Sequence, residues 1–359
     1  MLNIVQKMGI RTLVILTLII GAIGNSSSIN LQGNPWFYAL LLGAGLVGCT
    51  FGIDKNELKG SDWRVVALAV TVGVFVKALI IGIALYFASG QPMFLVLGLV
   101  VAQIDPLSVG ALVGSSHISK KADNLLRAWS SLDDPVTVLL TVMLVITQQT
   151  FKFNLGIQIN SVQIDSATGY GLYLFFNLAL VAVAVWMWRL VYRGSMFRKI
   201  ASTAILLVVA ILAGATWYWM FGLALMGLCI RPETKAYDWI NAKLETAARF
   251  SFLAAGTIVG WLLFEHVTSN GLDSQMFWGL ALGAMAFISQ AIVVPLVTIG
   301  SGYSKQDRLY LAIGHQNGLT AASLGLATGT VAIVIPAIIM THILYGICNA
   351  VLNKRFATA

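Results

Sequence analysis

Apolar runs of membrane-spanning length recur from one end of this chain to the other, separated by short polar gaps. A transmembrane helix needs about 20 such residues. Charged residues make up 10% of the 359 and hydrophobic ones 58%, whereas soluble domains carry roughly 25% charge. A soluble fold could bury that core, but too few charges remain to cover its surface. Lipid is therefore the solvent for most of the chain, which reads as an all-α membrane protein forming a single integral unit over 1–359. The net charge of +8 is scattered through short loops, which argues against a nucleic-acid partner. Cys49, Cys229 and Cys348 are far apart, lack metal-ligand spacing and read as packing residues.

Twelve spans can be drawn: 9–24, 35–53, 63–88, 92–115, 122–148, 168–191, 199–213, 215–230, 249–267, 275–300, 307–329 and 331–352. Gly214 marks the break between the seventh and eighth, and 150–166 reads as an extramembrane loop. Lys7 and Arg11 precede the first apolar run, which lacks a strong cleavage site after it and reads as a retained span. With a cytoplasmic N-terminus, every Lys and Arg of the 22 except Lys152 and Lys77 falls on the cytoplasmic side or its membrane edge. That follows the positive-inside rule and puts both termini in the cytoplasm of a cell (inner) membrane.

Two spans are interrupted near their centres. The fourth carries Asp105-Pro106, where proline removes a backbone donor and disfavours helix just before it. The eleventh carries Gly314-His315-Gln316-Asn317-Gly318. Lying seven spans apart, the two run in opposite directions, the pattern of inverted repeats with two crossed discontinuous helices around a central ion site. The expected division is a first half at 1–167, linking spans at 168–214 and a second repeat at 215–359. Helix-end dipoles and freed carbonyls at such breaks can bind ions.

Of the 14 acidic residues, only Asp105, Asp133 and Asp134 fall at membrane depth. A charge at the bilayer centre costs at least about 2.5–3.5 kcal/mol, so all three must face protein or a water-filled cavity. Two adjacent carboxylates there are poised to exchange protons for hard cations, which prefer oxygen ligands. If proton and sodium compete for the same oxygens and the site opens to one side at a time, antiport follows without a cofactor or catalytic residue. Lys77 lies too deep in the third span for easy snorkelling and is expected to pair with one of the aspartates. His315 sits in the second break, where it could sense pH or donate a hydrogen bond. His117, His266 and His342 read as loop or span-end residues without ligand spacing, and Arg127 and Glu265 as solvated.

These residues resemble the cation/proton antiporter superfamily, including bacterial sodium/proton antiporters. Leu41–Lys59 resembles its glycine-rich span, Gln103-Ile104-Asp105-Pro106 its Thr-Asp-Pro signature, and Ser130-Ser131-Leu132-Asp133-Asp134 its acidic pair. Arg249–Gly260 and Gly314–Ala327 resemble helices of the second half. The resemblance implies that Asp134 binds the cation and protons, that Asp133 sets electrogenic coupling, and that Asp105 belongs to the broken helix. It also implies sodium or lithium as the transported ion, a homodimer, and a core domain moving against a dimerisation domain. Ile104 replaces the signature threonine and leaves its carbonyl as the ligand. Gln290, and Gln316-Asn317, stand where members carry basic residues, and Lys77 could substitute. The runner-up reading is a sodium-coupled symporter of an organic anion, which would not need paired carboxylates. An intramembrane aspartyl protease lacks its sequence patterns here.

Overall fold

The computed structural model describes residues 35–53, 60–106, 108–109, 118–151 and 167–357. Every regular element among them is helical. In chain order these are α1 (Pro35–Phe51), α2 (Gly60–Leu68), a π-helical turn (Ala69–Gly73), α3 (Val74–Ser89), α4 (Met93–Val100), α5 (Lys120–Phe151) and α6 (Ala167–Val191). They continue as α7 (Met196–Trp217), α8 (Met220–Cys229), α9 (Thr234–Asn270), α10 (Ser274–Val297), α11 (Lys305–Ile313), α12 (Leu319–Ala327) and α13 (Val331–Ala357). The span expected at 9–24, with Lys7 and Arg11, lies outside the described residues, as do Lys55, Lys59, His117, Lys152 and the loop beyond Phe151.

Among the described residues, five stretches are long and apolar enough to cross a membrane: Asp62–Ser89, Thr168–Val191, Met196–Trp217, Ser274–Val297 and Val331–Phe356. Their outward faces carry large apolar side chains such as Phe75, Phe87, Phe175, Trp186, Phe197 and Phe277. In water such a surface would drive association; against hydrocarbon it is the favourable one.

The helices fall into two packed groups. In one, α1 packs on α7, α8 and α9, and α6 covers α8. In the other, α10 packs on α13, α3 and α11, α3 packs on α4, and α12 lies against α13. The long α5 touches both, contacting α1 and α8 on one side and α4 and α11 on the other.

Both interruptions are present. After α4 the chain is non-helical through Asp105 and becomes helical again at Pro106, where the missing proline N–H is one that a helix start leaves unpaired anyway. Between α11 and α12 the chain is non-helical from Gly314 to Gly318. The third break differs from expectation. The chain stays helical through Gly214 and turns at Tyr218, which ends α7 in the left-handed region. Gly214 serves packing instead, because a Cβ there would meet Leu223 side-chain atoms at 2.6 Å. The helix that contains the expected ninth span also begins earlier than 249, since α9 starts at Thr234 and Lys235 and Lys243 ride on it. Ala236 and Ile240 on that extension are buried, with Leu244 and Ala248 packed against the core, a spacing of four residues that keeps them on one helical face.

One of the close helix contacts in the second group is between α3 and α4. A Cβ on Gly98 would lie 2.6 Å from the Ala78 carbonyl and 2.7 Å from the Gly82 nitrogen, so neither backbone can move aside cheaply. Gly98→Ala is expected to destabilise the protein by at least about 1–3 kcal/mol, the usual cost of overpacking. The check is a lower Tm in detergent, read by loss of the monodisperse chromatographic peak on heating.

Candidate functional site

Asp133 and Asp134 lie near the middle of the 32-residue α5, and both are fully buried. Because they are sequence neighbours, a helix turns them about 100° apart, and each meets a different set of partners. Asp133 faces the first break. Its Oδ2 accepts hydrogen bonds from Lys77 Nζ at 3.0 Å and from the Ile104 backbone N–H at 3.0 Å. Lys77, on α3, is also fully buried and lies 5.4 Å from the centroid of the Trp129 ring. Trp129 sits one turn before Asp133 on the same helix, so the ammonium is held by a carboxylate and an aromatic face together.

Asp134 faces the second break. Its Oδ2 accepts from the Thr320 hydroxyl of α12 at 2.5 Å. The Oδ1 atoms of both Asp133 and Asp134 are buried and have no hydrogen-bond partner among the described residues. Buried polar atoms normally find one; these two are acceptor positions available to a cation or a proton.

Asp105 caps the helix that restarts at Pro106. Its Oδ2 accepts from the Ser108 N–H at 2.8 Å and the Ser108 hydroxyl at 2.6 Å. Its own N–H donates to the Gln316 carbonyl at 2.7 Å, joining the two breaks through their backbones. Gly318 makes this approach possible, since a Cβ there would lie 2.3 Å from the Asp105 carboxyl carbon. Asn317, with its amide nitrogen turned toward the first break, donates to the carbonyls of Gln103 at 2.8 Å and Val101 at 3.1 Å. The Asn317 N–H donates to Thr341 on α13 at 3.2 Å. His315 is buried, and its Nε2–H donates to the Val101 carbonyl at 3.1 Å. That bond is structural: it satisfies a carbonyl that the end of α4 leaves open.

Of the residues singled out by sequence, Asp105, Asp133, Asp134, Ile104, Lys77, His315, Gln316 and Asn317 meet around the two breaks. Gln290 stands apart. It is buried and donates to the Leu311 carbonyl in the last turn of α11 at 3.3 Å, and it makes no hydrogen bond to the aspartates among the described residues. Arg127 is mostly buried rather than solvated and pairs with Asp123 at 3.0 Å, one turn away on α5. His342 lies within α13 rather than at its end and is hydrogen-bonded to the backbone of Asn317. Sequence reading passed over Thr320, Ser108, Trp129 and Thr341. Ser108 had a signal, an Asp followed three residues later by Ser across a proline-initiated helix; Thr320 had only its position two residues past the second break.

The sodium/hydrogen exchanger transmembrane family model matches residues 12–353. The chain belongs to the sodium/hydrogen exchanger family. It is a member of a family of transporters rather than of an enzyme class, and its reaction is the exchange of sodium for protons across a membrane. Curated proteins give no match. Among solved structures, the sodium proton antiporter MjNhaP1 from Methanocaldococcus jannaschii at pH 8 is similar, with a TM-score of 0.59 and 16% identity over 96% of this chain and 90% of that one. An electron-microscopy map of the same antiporter gives a TM-score of 0.66 and 16% identity over 99% and 91%. At that identity the likeness speaks for the exchanger fold alone.

Breaking a buried pair by removing one partner typically costs about 3–5 kcal/mol, because the other charge is left uncompensated. Lys77→Met is expected to lower the Tm in detergent by a corresponding amount. Lys77→Met with Asp133→Asn should recover much of that loss, since no charge is then stranded. Equal stability of the single and double variants would show that the pair does not hold the site together.

Proposed function

We propose that Asp134 and Asp133 form the shared site at which sodium (or lithium) and protons compete, and that the exchanger works by alternating access. The observation that carries this reading is the pair of buried neighbouring carboxylates, each with an oxygen that has no partner among the described residues, placed against two broken helices. Three carboxylates gather here, and Lys77 forms an ion pair with one of them, Asp133. Fully ionised, the neighbouring carboxylates of Asp133 and Asp134 would set two negative charges against the one positive charge of Lys77 in a low-dielectric setting, a state of high free energy. Protons or cations must therefore enter, and taking up one kind disfavours the other. That competition is the coupling an antiporter needs.

In this reading Asp134 is the principal ligand, and Thr320 supplies a neutral oxygen beside it. Asp133 governs how many charges move per cycle, and Asp105 organises the first break. Lys77 takes the place of the basic residue expected at Gln290, so the counter-charge of the acidic pair comes from α3 and not from α10. Ile104 contributes backbone rather than a hydroxyl. The twelve-span topology, with both termini cytoplasmic, inverted halves at 1–167 and 215–359 and two crossed discontinuous helices, accounts for the matching positions of the two breaks. Linking spans at 168–214 separate the halves, and two copies of the chain form a homodimer.

The test is transport in proteoliposomes with a trapped pH dye. Sodium or lithium added to one side should collapse a preformed proton gradient. Asp134→Asn should reduce exchange by about 100-fold or more, the scale expected when a group that must gain and lose a proton cannot do so. Full activity in Asp134→Asn would remove this residue from the site. Failure of every monovalent cation to collapse the gradient would remove the antiport reading.

A further inference from the structure

Tyr218 is the one non-glycine residue among the described residues with a positive φ, at 59° with ψ 33°. Its Cβ is crowded there by its own backbone, so the conformation persists only where surrounding structure over-determines it. The surroundings do so from α6. The Tyr173 hydroxyl donates to the Tyr218 carbonyl at 2.6 Å. The buried Asn177 side chain accepts from the Gly222 N–H at 2.8 Å and donates to the Tyr173 carbonyl at 2.9 Å. The Trp219 N–H closes the turn on the Gly214 carbonyl at 2.8 Å. The Trp219 ring stacks on Trp217 and Phe176, with centroids 4.9 and 5.6 Å away. The backbone of the α7–α8 turn is thus fixed to its own helix group.

The left-handed turn sends the phenol across to the other group. Its hydroxyl lies 2.5 Å from the Ser323 Oγ of α12. Ser323 is three residues after Thr320, and residues at that spacing share a helix face. One face of α12 therefore makes two consecutive polar contacts, Thr320 to Asp134 and Ser323 to Tyr218. The second belongs to the group that carries no residue of the acidic cluster.

We propose that Tyr218 is a positioning residue for transport: its hydroxyl latches α12 to the α7–α8 turn, keeps Thr320 on Asp134, and lets go when the two helix groups shift. The role in transport rests on the reading of Asp134 as the ion site; the latch itself does not. A strained residue is suited to this work. Rigid backbone on one side of the bond makes the contact all-or-none, so a small displacement of α12 breaks it completely.

The experiment compares wild type, Tyr218→Phe, Ser323→Ala and the double variant, purified as full chains and then reconstituted. Amide hydrogen exchange is followed over residues 319–327, and sodium-driven proton flux gives kcat and KM for sodium. Each single variant removes one partner of the bond while leaving the turn and the helix in place. Each is expected to speed exchange over 319–327 by roughly two- to tenfold, the scale of one net hydrogen bond, and to change kcat by a similar factor. The double variant should match either single one, because they remove the same bond. Wild-type exchange rates over 319–327 in Tyr218→Phe, or effects that add in the double variant, would overturn the latch. Altered amide exchange together with full transport in Asp134→Asn would keep the latch and sink the site assignment instead.

Discussion

Irregular backbone at membrane depth is tolerable only when its polar groups find partners inside the protein, and here two such stretches find each other. The Asp105 N–H meets the Gln316 carbonyl, and the Asn317 side chain reaches the carbonyls of Gln103 and Val101. The Ile104 N–H goes to the Asp133 carboxylate, and His315 covers the Val101 carbonyl a second time. Each break would be costly alone; together they form one knot of satisfied groups. The helices around it, α3, α10 and α13, wall that knot off from lipid. The tight glycine contacts between α3 and α4 keep the wall close.

The acidic pair depends on the same knot. Asp133 is fastened by Lys77 and by the first break, Asp134 by Thr320 beside the second. Neighbouring carboxylates on a helix point in different directions, and that geometry gives each its own set of donors. One oxygen of each is engaged and the other is open among the described residues. Family membership supplies the reaction; under the proposed site, crowding of the carboxylates is the reason why proton and sodium exclude one another.

The centre of the molecule was legible in the sequence because charge and broken helix are both anomalies in hydrocarbon. Asp105, Asp133, Asp134 and Lys77 declared themselves by depth, and the two breaks by Pro106 and by Gly314 to Gly318. The hydroxyl partners did not. Ser and Thr are common in membrane helices, where they usually bond the preceding turn as Thr141 and Thr328 do here, so nothing marked Thr320 or Ser323 as different. The turn at Tyr218 was misplaced to Gly214 for a related reason. Glycine signals either a flexible backbone or a close neighbour, and a sequence does not distinguish them; Gly214 has Leu223 against it. The extension of α9 was obscured by its charges, which read as a loop until its buried stripe of Ala236 and Ile240 is seen on one face.

The ion pair of Lys77 with Asp133 has a consequence for how the protein is made. Both partners, and the Ile104 N–H that shares the carboxylate, lie in the stretch from α3 to α5. They are synthesised and inserted before α10 to α13 exist. A nascent first half can therefore neutralise its most awkward charge within itself, without waiting for a basic residue at position 290. Asp134 waits for its hydrogen-bond donor, because Thr320 arrives near the end of translation. The order of synthesis thus lets one carboxylate be paired early, while its neighbour gains its Thr320 hydrogen bond only once α12 is made.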